Sequence, residues 1–408
     1  AYPAGREQAR SYKQPPFAGG DSDRGGRGAC FLKEAGKTKE MRGEDSGAMN
    51  GMRGTQLGCA QHQEKSYASV ASLPRSLRLR LHRVLVVLAL LVISCSHAPE
   101  PLRIEGQSMG TGWSVLIGDD GGDEARARPL IEAELQRVVA QMSTWEPDSD
   151  LSRFKAAAAG TQYSLPAQLQ EVLEAALALA EDSGGAFDPT VGPLVELWGF
   201  GPGRPRQTAP APAEIDALRG RIGWQRVQLE GETLIQPGGV SLDLSAIAKG
   251  YAVDRIAEAL RAAGYVDLLI EVGGELRAHG QHPDGRPWRV GLEGPSVEGA
   301  ATGIVLHDQA VATSGDYRQF FEQDGHRYSH MIDPRSGQPI AQAGIAVSVV
   351  HASCMQADGL ATTLSVLGPD QGFQWARERG IAARFVYREG DAWAERRTPA
   401  FEALQVVE

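Results

Sequence analysis

The segment AIAKGYAVDRIAEALRAAGYVDLLIEVGGELRA, residues 246–278, sets the fold class. Its first part, 246–263, spaces apolar residues as a helix does, and Gly264 stops it. Residues 266–272 form a strand-like run, and Gly273-Gly274 turns the chain into 275–278 as a hairpin. Working outward, 130–142 sets Ile131, Leu135, Val138, Val139 and Met142 at helical spacing. Residues 169–179 do the same before Gly184-Gly185. Later come a strand at 345–350, a helix at 355–367 with Gly368 after it, and a strand at 382–387. The stretch GPGRPRQTAPAPA, 201–213, reads as a surface loop. No repeat recurs at a 20–50-residue period, and helices and strands mix without a regular βαβ beat. The expected class is α+β rather than a doubly wound sheet.

The 408 residues are not one kind of polymer. Apolar residues at 42% and charged residues at 23% are globular values, which exclude collagen-like, mucin-like and wholly disordered classes. Residues 1–83 carry 15 Lys and Arg against 8 Asp and Glu, whereas the remainder carries 26 against 43. An acidic body offers no cationic face for phosphate backbones, so nucleic acid is excluded as its partner. Residues 1–74 are Gly-, Arg- and Ser-rich without apolar periodicity, and read as a disordered extension or as sequence upstream of the true start. Within 75–94, Arg75, Arg78, Arg80 and Arg83 precede ten apolar residues, too few to cross about 30 Å of hydrocarbon. Val92-Ile93-Ser94-Cys95 then resembles a lipobox, making 75–94 a lipoprotein signal and Cys95 the lipidated residue. That reading puts the body, 95–408, on a bacterial membrane facing the periplasm. It leaves Cys354 as the one thiol of the folded part, so no internal disulfide is expected.

Common catalytic signatures are absent: there is no G-x-x-x-x-G-K-[ST], G-x-G-x-x-G after a strand, G-x-S-x-G or H-E-x-x-H. Five other clusters could carry chemistry. Ser108-Met109-Gly110-Thr111 is either a hairpin start or a place where backbone approaches a ligand. Ala186-Phe187-Asp188-Pro189 is either a plain turn or a rigid loop presenting Phe187 and Asp188. In 243–250, DLSAIAKG, a lysine stands in the first turn of a helix, in a body that holds 24 Arg and only Lys155 and Lys249. A cation there opposes the helix dipole and calls for an anion, for which a phosphate would serve. ATSGDY at 312–317 and YSHMIDP at 328–334 bring hydroxyls, carboxylates and His330, a candidate general base. In ADGLATT, 357–363, Asp358 and Thr362 share a helical face. A carboxylate and a hydroxyl suit Mg²⁺ or another hard divalent cation; the other reading is a cap at Asp358 and a core residue at Thr362.

In this order, and behind a lipobox, DLSAIAKGYAVD, ATSGDYR and YSHMIDPRSG closely resemble the ApbE family of FAD:protein FMN transferases, from about residue 107 to 367. The resemblance implies a two-lobed body of mixed sheet and helix with FAD bound in the cleft. It implies transfer of FMN to a Thr or Ser hydroxyl of a target protein, with release of AMP. It implies flavin and adenine contacts at Met109, Trp145, Ala186, Phe187, Asp188, Asp243, Lys249 and Ile332. It also implies a divalent metal at the Ala246 carbonyl, Asp358 and Thr362, with Ala361 adjacent. Two positions depart from the family: Trp145 stands where Tyr is commoner, and Gly359 where a bulkier residue is usual, which predicts a locally looser helix.

The chemistry is coherent on its own terms. A pyrophosphate repels nucleophiles, and a divalent cation with Lys249 would offset its charge and that of the AMP leaving group. His330 or a nearby Asp would take the proton of the incoming hydroxyl. Two other readings share the ligand: a metal-dependent FAD pyrophosphatase, and a lipid-anchored flavin-binding module without turnover.

Overall fold

The structure, a computed structural model, describes residues 100–407 apart from 120, 204, 293, 295–301, 317–318 and 342–343. The leader and Cys95 lie outside the described residues. The chain begins with a hairpin, β1 (Leu102–Ser108) and β2 (Thr111–Ile117), then α1 (Glu124–Met142), α2 (Asp150–Ala156), β3 (Gln162–Ser164) and α3 (Ala167–Asp182). Next are α4 (Gly192–Leu197), α5 (Pro212–Leu218), β4 (Gln228–Glu230), β5 (Thr233–Ile235) and α6 (Ala248–Ala262). Five strands follow: β6 (Leu268–Val272), β7 (Glu275–His279), β8 (Trp288–Leu292), β9 (Thr302–Leu306) and β10 (Ala310–Gly315). Then come β11 (Phe320–Gln323), β12 (His326–Ser329), β13 (Ile332–Asp333), β14 (Gln338–Pro339), β15 (Ala346–His351) and α7 (Cys354–Glu378). The chain closes with β16 (Ala382–Glu389), β17 (Ala392–Arg397), α8 (Pro399–Glu402) and β18 (Val406–Val407).

Eight strands form one sheet in the order β1-β2-β6-β7-β10-β15-β16-β17. Every neighbouring pair is antiparallel. Strand alternation divides its apolar residues between two faces. Leu268, Ile270, Val272, Ala310, Ala312, Val347 and Val349 face a large core shared with α1, α6 and α7. Leu269, Leu276, Val311 and Val350 face the other way, onto Trp288, Val290, Leu292, Ile304 and Leu306 of the small sheet β18-β9-β8 and onto Phe401. Each buried Leu, Ile or Val in these layers contributes about 1.5–3 kcal/mol of burial free energy. A smaller lobe has its own core of Leu194, Trp198, Ile215 and Ile332. There Trp198 and Phe321 flank Tyr328 at centroid distances of 5.4 and 5.1 Å, and the Trp198 indole donates to the Gly337 carbonyl at 2.9 Å. The α+β class is as expected.

The expected boundaries shift where caps, which periodicity does not register, set the ends. α1 starts at Glu124 because the Asp123 side chain accepts from the Ala125 N–H at 2.9 Å. α6 starts at Ala248, leaving Ala246 outside the helix, since Ile247 holds φ −148°. Gly368 breaks α7 at φ 79°, as its position suggested, but Pro369 then opens a second helical stretch to Glu378. The expected loop at 201–213 ends two residues into α5, where Pro212 supplies the preset first-turn φ.

One glycine fixes how closely the helices cross. A Cβ at Gly250 would fall 2.8 Å from the Asp358 Cβ and closer still to the Cys354 carbonyl. Both obstacles belong to α7, and the carbonyl is backbone that cannot swing away. Gly250→Ala is therefore expected to cost about 2–3 kcal/mol, at the upper end of overpacking penalties. Denaturant unfolding measures this, and a loss under about 0.5 kcal/mol would contradict the close approach.

Candidate active site

Antiparallel register gathers the sequence clusters at one end of the main sheet. Ser108 pairs with Thr111, Trp113 with Val272, Val272 with Glu275, and Val311 with Leu276. The hairpin tip at 108–111, the Gly273-Gly274 turn and the far end of β10 therefore lie on the same edge. Met109 and Gly110 both have positive φ, 51° and 73°, as a two-residue hairpin of this twist requires. The Gly273 N–H donates to the Gly112 carbonyl at 3.1 Å. A Cβ on Gly273 would lie 2.9 Å from Thr111 Cγ2 and 3.3 Å from Lys249 Cδ. Three segments distant in sequence thus meet around one glycine.

Two helices deliver charged groups to this end, and each caps the other. Asp358 of α7 accepts from the Gly250 N–H at the start of α6, at 3.0 Å. Asp254 of α6 accepts from the Cys354 and Met355 N–H groups at the start of α7, both at 3.0 Å, and from the Ser353 hydroxyl at 2.7 Å. Arg277 of β7 pairs with Asp254 from the sheet side. These carboxylates satisfy N–H groups that a helix start leaves without internal partners. Asp358 is indeed a capping residue, but of the neighbouring helix; Ser353 caps its own. Thr362 is half-buried rather than core, and its hydroxyl lies 2.9 Å from that of Ser314 on β10.

Lys249 lies between two carboxylates. Its Nζ is 3.3 Å from Glu275 Oε1 and 3.8 Å from Asp358 Oδ2, and the side chain is 27% exposed. The anion that its place at a helix start called for is supplied within the chain. Asp358 is 2% exposed and Glu275 4%. Burial raises the pKa of both, opposed chiefly by the charge of Lys249. The same carboxylates hold the Lys249 pKa up against its own desolvation. Glu275 Oε2 is buried without a hydrogen-bond partner. Glu275 was not singled out from sequence; the only signal was its place directly after a Gly-Gly turn.

Among the described residues no group of three or more His, Cys, Asp or Glu side chains forms a metal cage. What the structure holds is one lysine shared by two buried carboxyl groups, with Glu275 Oε2 unsatisfied. The oxygen donors beside it, Asp358, the Thr362 hydroxyl and the Ala246 carbonyl, are of the hard type that fits a divalent cation. Ile247, next to Ala246, lies near Gly359, the residue after Asp358. Gly359 is buried within α7, and a Cβ there would fall 2.8 Å from Leu179 Cδ2, so the glycine sits at a close-packed position. Ala361 is fully buried.

The remaining expected contacts divide by exposure. Trp145 is 60% exposed, on a loop pinned by Ser143 Oγ, which accepts from the Trp145 and Glu146 N–H groups at 3.1 Å. Ala186, Phe187 and Asp188 are buried, not presented outward, and Phe187 belongs to the main core. Asp188 accepts from the Thr190 hydroxyl at 2.6 Å and the Trp224 N–H at 3.0 Å, and burial raises its pKa. It borders a cavity of about 260 Å³ with Arg219, Trp224 and Arg335, whose lining includes none of Lys249, Glu275, Asp358 and Thr362. The Asp243 N–H donates to the Pro189 carbonyl at 2.7 Å, and its carboxylate accepts from the Ser245 N–H at 2.9 Å, tying the α6 approach to the 186–193 loop. The Ile332 side chain is in the small-lobe core, and its backbone stands opposite Pro339 in the β13–β14 pair.

His330 follows β12, edge-on to Phe200 at 6.2 Å. Its Nδ1 lies 3.1 Å from the Gln319 carbonyl, which only accepts, so Nδ1 carries the proton and Nε2 the lone pair. Burial lowers its pKa below the ordinary 6.5, and the charge of Lys249 lowers it further. At neutral pH His330 is an uncharged base.

The described body matches known proteins along most of its length. The model of the ApbE family matches residues 109–385. A Vibrio cholerae FAD:protein FMN transferase is 39% identical over 325 residues, covering 78% of this chain and 97% of the relative. A Haemophilus influenzae FAD:protein FMN transferase is 35% identical, covering 79% and 96%. Among solved structures, the apo flavinyl transferase ApbE of Pseudomonas stutzeri is 41% identical with TM-score 0.69, covering 75% of this chain and 96% of that one. The flavin transferase ApbE of Vibrio cholerae is 38% identical with TM-score 0.70, covering 75% and 99%.

Removing the lysine exposes the charge balance of the cluster. Lys249→Met leaves Glu275 and Asp358 buried without their cation, a loss of about 3–5 kcal/mol when one partner of a buried pair is removed. Carboxylates whose folded pKa is raised bind protons more readily folded than unfolded. Their contribution is present below the ordinary Glu value of 4.5 and is lost as pH rises. The variant's deficit should therefore be larger at pH 8 than at pH 5, read as unfolding free energy at both. A deficit independent of pH would refute the charge-balance account.

Proposed function

The chain belongs to the ApbE family, and on that premise we propose that it is an FAD:protein FMN transferase. The observation carrying this reading is that Lys249 and Asp358, over a hundred residues apart, meet at 3.8 Å at the start of α6. In the reaction a Thr or Ser oxygen of the acceptor protein forms a bond to the FMN phosphorus. The pyrophosphate P–O bond breaks, AMP leaves with the bridging oxygen, and the hydroxyl proton passes to a base. Nε2 of His330 is the base because the Gln319 carbonyl takes the Nδ1 proton, which leaves the lone pair on Nε2 of a neutral ring. Lys249 meets the negative charge that develops on the phosphates, and Glu275 and Asp358 hold its ammonium in place. The exposed Trp145 offers a stacking surface for a flavin or adenine ring. Met109, Asp243 and the 186–188 and 332 backbones complete the flavin-nucleotide site.

A divalent cation, Mg²⁺ or a similar hard ion, would be held by Asp358, Thr362 and the Ala246 carbonyl, with Ala361 adjacent. When bound it supplies the positive charge that makes a pyrophosphate approachable by a nucleophile. The lipobox-like leader supports attachment through Cys95 to a bacterial membrane, where the acceptor protein is met on the periplasmic side.

Incubation with FAD, Mg²⁺ and an acceptor protein should add the mass of FMN to the acceptor and release AMP in equal amount. Free FMN with an unmodified acceptor would instead identify a pyrophosphatase. Asp358→Ala should abolish transfer at low Mg²⁺. The acid limb of kcat/KM should have its midpoint below pH 6.5, since the base is needed neutral and its pKa is depressed. His330→Gln should lower transfer by about 10²–10⁴-fold and remove that limb. A variant that keeps the limb would exclude His330 as the base.

A further inference from the structure

The hydroxyls of ATSGDY had no assigned part in the chemistry above, and one of them touches the proposed metal set. We infer that Ser314 is a positioning residue that orients the Thr362 hydroxyl and thereby sets how tightly the site holds a divalent cation. This rests on the reading of Thr362 as a cation ligand. Ser314 Oγ and Thr362 Oγ1 are 2.9 Å apart, across the contact of β10 with α7. Both residues are half-buried.

Strand alternation explains why Ser314, and not its neighbour, reaches the helix. Ala312 faces the core shared with α7, so Ser314 does too. Thr313 points to the other face, where its hydroxyl lies 2.8 Å from that of Ser348 on β15.

Thr362 also departs from its helical neighbours. A Thr or Ser inside a helix usually returns its proton to the carbonyl one turn back. Thr363 does so to Gly359 and Ser365 to Ala361, both at 2.8 Å. Thr362 instead bonds off the helix, to Ser314. A hydroxyl has one proton and two lone pairs, and a neutral hydroxyl ligand must turn its proton away from the cation. Ser314 Oγ accepts that proton, which leaves a Thr362 lone pair facing the site one turn from Asp358. With the bond reversed, a Thr362 lone pair would be occupied by the Ser314 proton and its own proton left free to swing toward the cation. The cation therefore selects one of the two hydrogen-bond directions, as outer-shell partners of metal ligands do.

The test is Mn²⁺ affinity, followed by electron paramagnetic resonance of the full protein with saturating FAD and no acceptor. Ser314→Ala should weaken Mn²⁺ binding by about 10-fold or more, the usual effect of losing an outer-shell partner. Ser314→Thr, which keeps the hydroxyl, should stay within about threefold of the parent protein, while metal-free thermal stability and metal-free FAD binding hold steady in both. Thr362→Ala should weaken Mn²⁺ at least as much as Ser314→Ala, and the double variant should be no weaker than Thr362→Ala alone, because the two act as one unit. The inference is overturned if Ser314→Ala binds Mn²⁺ like the parent while Thr362→Ala does not, or if the two losses add. Parental Mn²⁺ affinity in Thr362→Ala would remove Thr362 from the ligand set, and the inference with it.

Discussion

The exchange of caps between α6 and α7 is the contact on which the site depends. Asp254 takes the first N–H groups of α7 and Asp358 takes one at the start of α6, so each helix begins on a carboxylate from the other. A capping carboxylate typically contributes about 1 kcal/mol, and more when its acceptor is charged and buried. The two bonds fix both the crossing and the register along it, because each carboxylate reaches the first turn of its partner. Gly250 permits the approach, and the Arg277 pair ties the crossing to β7. Any shift of one helix along the other would break a cap and move Asp358 away from Lys249.

That constraint explains the choice of charges. Lysine is scarce in the acidic body, yet one occurs where a helix dipole disfavours it. Two buried carboxylates keep it protonated, and they also keep it from neutralising a ligand by itself. A pyrophosphate brought to Lys249 would find its ammonium already shared with Glu275 and Asp358. A divalent cation at the proposed ligand set would add the positive charge that the shared lysine cannot supply alone. An ammonium suits this position better than a guanidinium: it is a compact point charge that two carboxylates can share.

Sequence patterns exposed the local parts of this arrangement. The Gly273-Gly274 hairpin, the lysine at a helix start and the shared face of Asp358 and Thr362 each follow from spacing within a few residues. Gly368 stopped its helix as its position suggested, whereas Pro369 restarted one, since a proline that breaks a helix interior also opens a new first turn. The eight-strand order was not readable, because pairings such as β2 with β6 join segments that share no local signal. Glu275 was hidden for the same reason, and Ser314 was only one hydroxyl of the ATSGDY cluster. Their partners, Lys249 and Thr362, lie on helices packed against the sheet and not among the residues beside them. Phe187 and Asp188 misled in the opposite direction: an Asp-Pro turn looks like a presented loop, yet here the loop lies under the structure and its carboxylate binds backbone.

A fully antiparallel sheet also explains why the site is at a turn-rich edge. In parallel sheets every strand points its C-terminal end at one rim, and ligands collect there. Antiparallel strands give each rim a mixture of strand starts and ends joined by tight hairpins. Here that rim holds the end of β1, the start of β2, the end of β6, the start of β7 and the end of β10. Its hairpins need positive φ, and Met109 adopts it at 51°, a conformation that left-handed sterics penalise by roughly 1–2 kcal/mol in a residue with a side chain. Pairing on both strands of the hairpin and the Gly273–Gly112 bond hold that turn in place. Met109 packs against the main core. Two residues on, Thr111 borders Gly273 as Lys249 does, so the turn adjoins the lysine around which the site is built.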